Sequence, residues 1–91
     1  MDDGLLRDLA RTAASQQKLL RIQYEDRKGV VTDRRVEPYE IKAAPDNTLF
    51  AWSVDPGSSG RMGIRKFKVW NIKTAELTDE TFQPRYPNMI I

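Results

Sequence analysis

The stretch "RRVEPYEIKAAPDNTLFAWSVD", residues 34–55, reads as two strands joined by a polar turn, and it decides the fold. Its first strand contains Pro38, which has no amide hydrogen for a ladder hydrogen bond. That predicts an edge position or a bulge at this point. The turn, "APDN" (44–47), has the proline and side-chain amide chemistry that reverses a chain. In the second strand, Leu49 to Val54, large Phe50, Trp52 and Val54 alternate with small Ala51 and Ser53. The adjacent arginines Arg34 and Arg35 exceed what a plain core requires.

Working outward, Leu20, Ile22 and Tyr24 alternate with Arg21, Gln23 and Glu25, the pattern of a half-buried strand. "EDRKG" (25–29) supplies a polar turn with Gly29 free to take positive φ, and the next strand runs from Val31 to Ala43. After residue 54 comes a glycine-rich loop, "DPGSSGRMG" (55–63). A fourth strand is predicted from Ile64 to Ile72, setting Phe67 and Val69 against Lys66 and Lys68. A tail anchored by Phe82, with a Pro-Arg-Tyr-Pro segment, closes the chain. At the other end, residues 3–17 place Leu5, Leu6, Leu9, Ala10, Ala13 and Ala14 at helical spacing, with Arg7, Asp8 and Arg11 opposite.

The expected fold is mainly β with one N-terminal helix: four to five antiparallel strands curled into a small barrel. One domain covers residues 1–91, with the helix at 3–17 and the barrel and closing tail at 19–84. The expected core is Leu9, Leu20, Ile22, Ile41, Leu49, Val54, Phe67, Val69 and Ile72.

Composition narrows the chemistry. A chain of 91 residues with 40% hydrophobic and 31% charged content supports one small core. No apolar run approaches the roughly 20 residues a membrane-spanning helix needs, and the acidic start "MDDGLLRDL" is no secretory signal. With cysteine also absent, a cytoplasmic location is expected. The absence of histidine excludes Ser-His-Asp triads and His-based metal sites, so no metal or cofactor is expected. The carboxylate neighbours Glu25–Asp26 and Asp79–Glu80 lie in turns, and the 57–63 loop lacks the phosphate-cradling P-loop pattern, so no enzyme is expected. Net charge is only +2, but Arg61, Arg65, Lys66, Lys68 and Lys73 fall together with no acidic residue among them.

The order of these features resembles the WYL domain family of bacteria and their phages. Its "I-x-Y" strand is matched by Ile22 and Tyr24, and its "R…V-E-P-Y" element by Arg34, Arg35, Val36, Glu37, Pro38 and Tyr39. Leu49, Ala51 and Trp52 match a third-strand "L-x-A-W". Arg65, Phe67, Lys68, Val69 and Ile72 match the fourth-strand motif, and Phe82 and Pro84 a final "F-x-P". The tripeptide that names the family falls on Asn47, Thr48 and Leu49, and a family arginine is Asn71 here. The resemblance implies a Sm-like (SH3-type) barrel without catalytic activity. It also implies a ligand-sensing role for nucleic acids or nucleotides, in transcription regulators and CRISPR-associated accessory proteins. The helix-turn-helix that usually precedes such domains is missing, so a stand-alone or isolated domain is expected.

The candidate site follows from both lines of reasoning. Strands two and four carry two basic groups, Arg34 with Arg35 and Arg65 with Lys66 and Lys68, which a curled sheet brings together. Guanidinium forks suit phosphate, and an aromatic face, Tyr39 or Trp52, accepts a stacked base. The expected ligand is single-stranded DNA or RNA, or a nucleotide. The plainer readings are one surface arginine and one ion-paired to Glu37 or Glu40, and a core place for Trp52. Trp70, sharing strand parity with Lys66 and Lys68, is expected to be partly exposed, as a stacking platform or a protein contact. An edge at Pro38 would also allow a protein-interaction module that forms homo-oligomers through strand edges.

Overall fold

Asp2 starts the first element. In the computed structural model, which describes residues 1–57 and 60–86, its carboxylate accepts the Leu5 amide at 3.1 Å and caps α1, Asp3–Gln16. Gln17 ends the helix in the left-handed conformation (φ 53°), its amide donating to Ala13 and Ala14. The helix buries Leu6, Ala10 and Ala13. Leu5, expected on the same stripe, is exposed and Leu9 only half-buried, so the buried stripe is narrower than the spacing predicted.

Five strands follow: β1 (Lys18–Glu25), β2 (Val31–Lys42), β3 (Thr48–Ser53), β4 (Gly63–Lys68) and β5 (Ile72–Thr81). They form one antiparallel sheet in the order β4-β3-β2-β1-β5. The β1–β2 turn is held by Asp26, whose carboxylate accepts the amides of Lys28 and Val30 while Gly29 takes φ 80°.

The connection between β4 and β5 shapes the sheet. These strands are its two edges, about 19 Å apart if the sheet were flat. Yet only the 3-10 turn Val69–Asn71 joins them, and about 14 Å is the most that Lys68 to Ile72 can span. The sheet must therefore coil, and it does: the Lys68 amide donates to the Tyr24 hydroxyl (3.1 Å), and the Tyr24 and Phe67 rings meet edge-on at 5.0 Å, with two strands between their own. The coil does not close. Among the described residues no ladder joins β4 to β5, so the expected barrel is an open, coiled sheet.

Two further expectations change. The fourth strand ends at Lys68, not Ile72, because Val69 turns into the core and donates its amide to the Asn47 carbonyl (2.9 Å). Ile72 opens β5, and the part of the tail that followed it up to Thr81 is that strand, paired with β1. Pro38 lies in β2, an interior strand, so the edge alternative fails. A register shift between Pro38 and Glu40 is the bulge that accommodates it. The edges open to another chain are those of β4 and β5, so the edge-pairing argument loses its starting point at Pro38.

The core contains Leu20, Ile22, Ile41, Leu49, Phe67, Val69 and Ile72 as expected, joined by Leu6, Ala10, Ala13, Val36 and Ala51. Val54 lies past the end of β3 and is only half-buried. Ser58 and Ser59 of the expected loop, and Pro87 of the tail segment, lie outside the described residues. Among the described residues, no helix is long and apolar enough to cross a membrane.

Candidate functional site

The β1–β2 register places an arginine where the core face would take an apolar residue. Ile22 pairs with Arg34, and Tyr24 with Thr32, so Arg34 shares the face of Ile22 and Val36. On β4, Arg65 pairs with Ala51 and Phe67 with Leu49, again on the core face. Coiling of the sheet brings these groups together at the end near the β1–β2 turn. There, Tyr24, Arg34, Arg65, Lys66, Phe67 and Lys68 line a cavity of about 290 Å³ whose rim includes Asp26, Arg27 and Asn71.

Arg34 is the centre of this site. It is only 6% exposed, with its guanidinium carbon 5.3 Å from the Phe67 centroid and 5.6 Å from that of Tyr24. Its Nε donates to the Thr32 hydroxyl at 2.9 Å. Gly57 packs directly against the guanidinium, for a β-carbon there would overlap it. Arg34 lines the cavity, and among the described residues its terminal nitrogens make no hydrogen bond. Burial lowers the Arg34 pKa and the neighbouring Arg65 lowers it further, with Tyr24 and Asp26 opposing. The charged form, which arginine keeps at neutral pH, is thus held where Tyr24 and Asp26 only partly offset burial and Arg65. Among the described residues, none of Arg27, Arg34, Arg65, Lys66 and Lys68 makes an ion pair within 4 Å.

The adjacent Arg35 takes the opposite face, as strand alternation requires. Its Nε and Nη2 grip both Asp55 oxygens at 2.8 Å, its amide donates to Asp55 at 2.9 Å, and Nη1 reaches Glu80 at 2.8 Å. The hydrogen bonds from Arg35 hold the Asp55 carboxyl below its usual pKa, against a smaller effect of burial. Arg35 therefore anchors the start of the 55–63 loop and does not face Arg65. Its partners are Asp55 and Glu80, not the Glu37 or Glu40 of the plainer reading.

Tyr39 and Trp52, expected at the pocket's side, are elsewhere. Trp52 pairs with Glu37 across β3 and β2, and the Arg85 guanidinium carbon covers its ring at 4.3 Å. Buried Glu37 accepts from the Tyr39 hydroxyl (2.6 Å) and from Arg85 Nε (3.1 Å). The Tyr39 ring meets Phe82 and Tyr86 edge-on, and its hydroxyl accepts the Arg85 amide. This cluster fastens the closing segment to the sheet.

The structure thus gathers Arg34, Arg65, Lys66 and Lys68 but separates Arg35, Tyr39 and Trp52 from them. The aromatic lining is instead Tyr24 and Phe67, which sequence reasoning assigned to a half-buried strand and to the core. A signal was available. Counting the hairpin outward from the "EDRKG" turn sets Arg34 opposite Ile22. Gly57 carried no such signal, because its role depends on where the Arg34 side chain ends.

Fold and site together define a small helix-on-sheet domain with a basic, aromatic-lined cavity. A family model described as WYL domain matches residues 5–77, and the chain belongs to that family, whose members are regulatory, ligand-sensing domains. No curated protein matches the chain. Among solved structures it is similar to Proteasome accessory factor B/C (PafBC) of Arthrobacter aurescens, with a TM-score of 0.73 and 17% sequence identity. That likeness covers 94% of this chain but only 13% of the other.

Proposed function

We propose that the cavity beside Arg34 receives a phosphate-bearing ligand, a nucleotide or a short single strand of DNA or RNA, and that the domain is a binding module without catalytic activity. One observation carries this reading: a nearly buried arginine, held over two aromatic rings and without an ion pair among the described residues, lines a cavity with Arg65, Lys66 and Lys68. An anion placed there adds to the attraction of Asp26 and offsets the repulsion of Arg34 by Arg65. Half-buried Tyr24 adds an aromatic ring beside it, which suits a nucleotide better than inorganic phosphate.

The test is fluorescence anisotropy of labelled nucleotides and oligonucleotides at two salt concentrations. Affinity should fall with salt, with a slope of about 0.7 per neutralised phosphate for single strands. Arg65→Ala should weaken binding without unfolding the domain. Arg21→Ala, which removes an exposed cation paired with Asp33 and Glu76, should not. Absence of binding at low salt would overturn the reading.

A further inference from the structure

A second concavity, of about 450 Å³, lies across the outer face of β3 and β4, and Lys66 and Lys68 line it as well as the Arg34 cavity. The two hollows therefore share a wall, the free edge of β4. Beside these lysines the outer hollow is lined by Phe50, which pairs with Lys66 across the ladder, and by Trp70.

Trp70 is 60% exposed. It sits on the 3-10 turn between buried Val69, whose amide is tied to Asn47, and half-buried Asn71. Its presentation to solvent is thus fixed by backbone anchoring. Lys68 Nζ stands 5.6 Å from its ring centroid. Of the lysines lining the hollow, Lys42 pairs with Glu40 at 3.8 Å, whereas among the described residues Lys66 and Lys68 make no ion pair, with Glu40 or with Asp46, the other carboxylate of the lining. A large exposed ring beside unpaired ammonium groups complements a nucleobase joined to a phosphate.

We propose that a single-stranded nucleic acid crosses the β4 edge, with its terminal phosphate-bearing nucleotide in the Arg34 cavity, its linking phosphates on Lys66 and Lys68, and a following base stacked on Trp70. The proposal rests on the nucleotide reading of the Arg34 cavity and adds a subsite outside it. The ligand is then a strand with an end, and affinity depends on its length up to the nucleotide that reaches Trp70.

Titration of the full chain with a 5′-phosphorylated thymidine mononucleotide and with 5′-phosphorylated oligothymidylates of two to six residues tests this. Affinity should rise about tenfold or more once the strand reaches the outer hollow, the gain expected from a stacked base. Trp70→Ala should abolish that gain and leave mononucleotide binding unchanged, whereas Trp70→Phe should keep part of it. Mononucleotide binding with no gain from length, or a gain that survives Trp70→Ala, would overturn the edge-crossing path and leave the Arg34 reading standing. If neither mononucleotide nor oligonucleotide binds, both readings fall together.

Discussion

The Arg34 guanidinium carbon stands 5.3 Å from the centroid of Phe67, and the same ring meets Tyr24 edge-on at 5.0 Å. The aromatic pair thus serves as core on one side and as the floor of a cation site on the other. This arrangement requires a coiled sheet, since Tyr24 and Phe67 belong to β1 and β4 with two strands between them. Stability and binding therefore meet in one cluster, and substitutions there separate the two.

Arg34→Met keeps the hydrophobic stem and removes a charge that burial and Arg65 both disfavour. The midpoint of thermal unfolding should rise by a few degrees while affinity for nucleotides falls at least tenfold. Calorimetry and the anisotropy titration read the two effects. A lowered midpoint would show that the cation contributes to folding.

Gly57→Ala tests the packing of the loop on Arg34. The added methyl meets the far end of a flexible side chain, which can move, so stability should change by less than about 1 kcal/mol. Moving the guanidinium takes it off the rings, so ligand affinity should fall. A loss of stability with binding intact would contradict this arrangement.

Phe67→Ala opens a cavity in a ring contact that supports both core and site, since Phe67 is 1% exposed. The expected cost is about 3–5 kcal/mol, enough to unfold much of a domain this small. Urea titration with circular dichroism would measure it, and a cost below 1 kcal/mol would show the site to be independent of the core.

Asp55→Asn should destabilise the loop anchor in a pH-dependent way. The folded-state pKa of Asp55 lies below its unfolded value of about 3.9. Its stabilisation is therefore complete above that value and is lost as pH falls through the folded one. Unfolding midpoints of wild type and variant should differ by a few degrees at pH 7 and converge as the pH drops below about 4. An equal difference at all pH values would remove the ion pair as its cause.

The extent to which this molecule was legible in its sequence follows from what each signal depends on. Alternation and turn residues revealed α1 and the first three strands, because those patterns are local. The end of β4 was hidden because Phe67 and Val69 both point inward, one from a strand and one from a 3-10 turn, so strand parity runs on past the turn. Strand β5 was missed because its residues alternate weakly: Thr74, Glu76 and Asp79 are polar, while Ala75 and Leu77 are only partly buried. Of the two adjacent arginines, which one faces Arg65 depends on hairpin register. The separation of Tyr39 and Trp52 from the cavity depends on a bulge and on the closing segment that covers them.

That covering segment yields the last prediction. The Tyr39 hydroxyl donates to buried Glu37 at 2.6 Å and accepts the Arg85 amide at 2.9 Å, fastening residue 85 to β2. Burial pushes the Tyr39 pKa up to about 12, and the neighbouring Glu37 carboxylate adds to the rise while the Arg85 amide and charge oppose it. Because the unfolded-state value is about 10, the folded state holds this proton more tightly. The resulting stabilisation is fully present below pH 10 and is lost as pH rises through about 12. Tyr39→Phe leaves Glu37 with one fewer donor and frees the Arg85 amide, at a cost of about 1–3 kcal/mol near neutral pH. Between pH 10 and 12 the wild type should lose stability faster than the variant, so the two curves approach. Chemical denaturation across this range reads the approach, and the difference between the ultraviolet titrations of wild type and Tyr39→Phe should show Tyr39 ionising late. Parallel curves would show that the Tyr39 hydroxyl is not what couples the closing segment to the sheet.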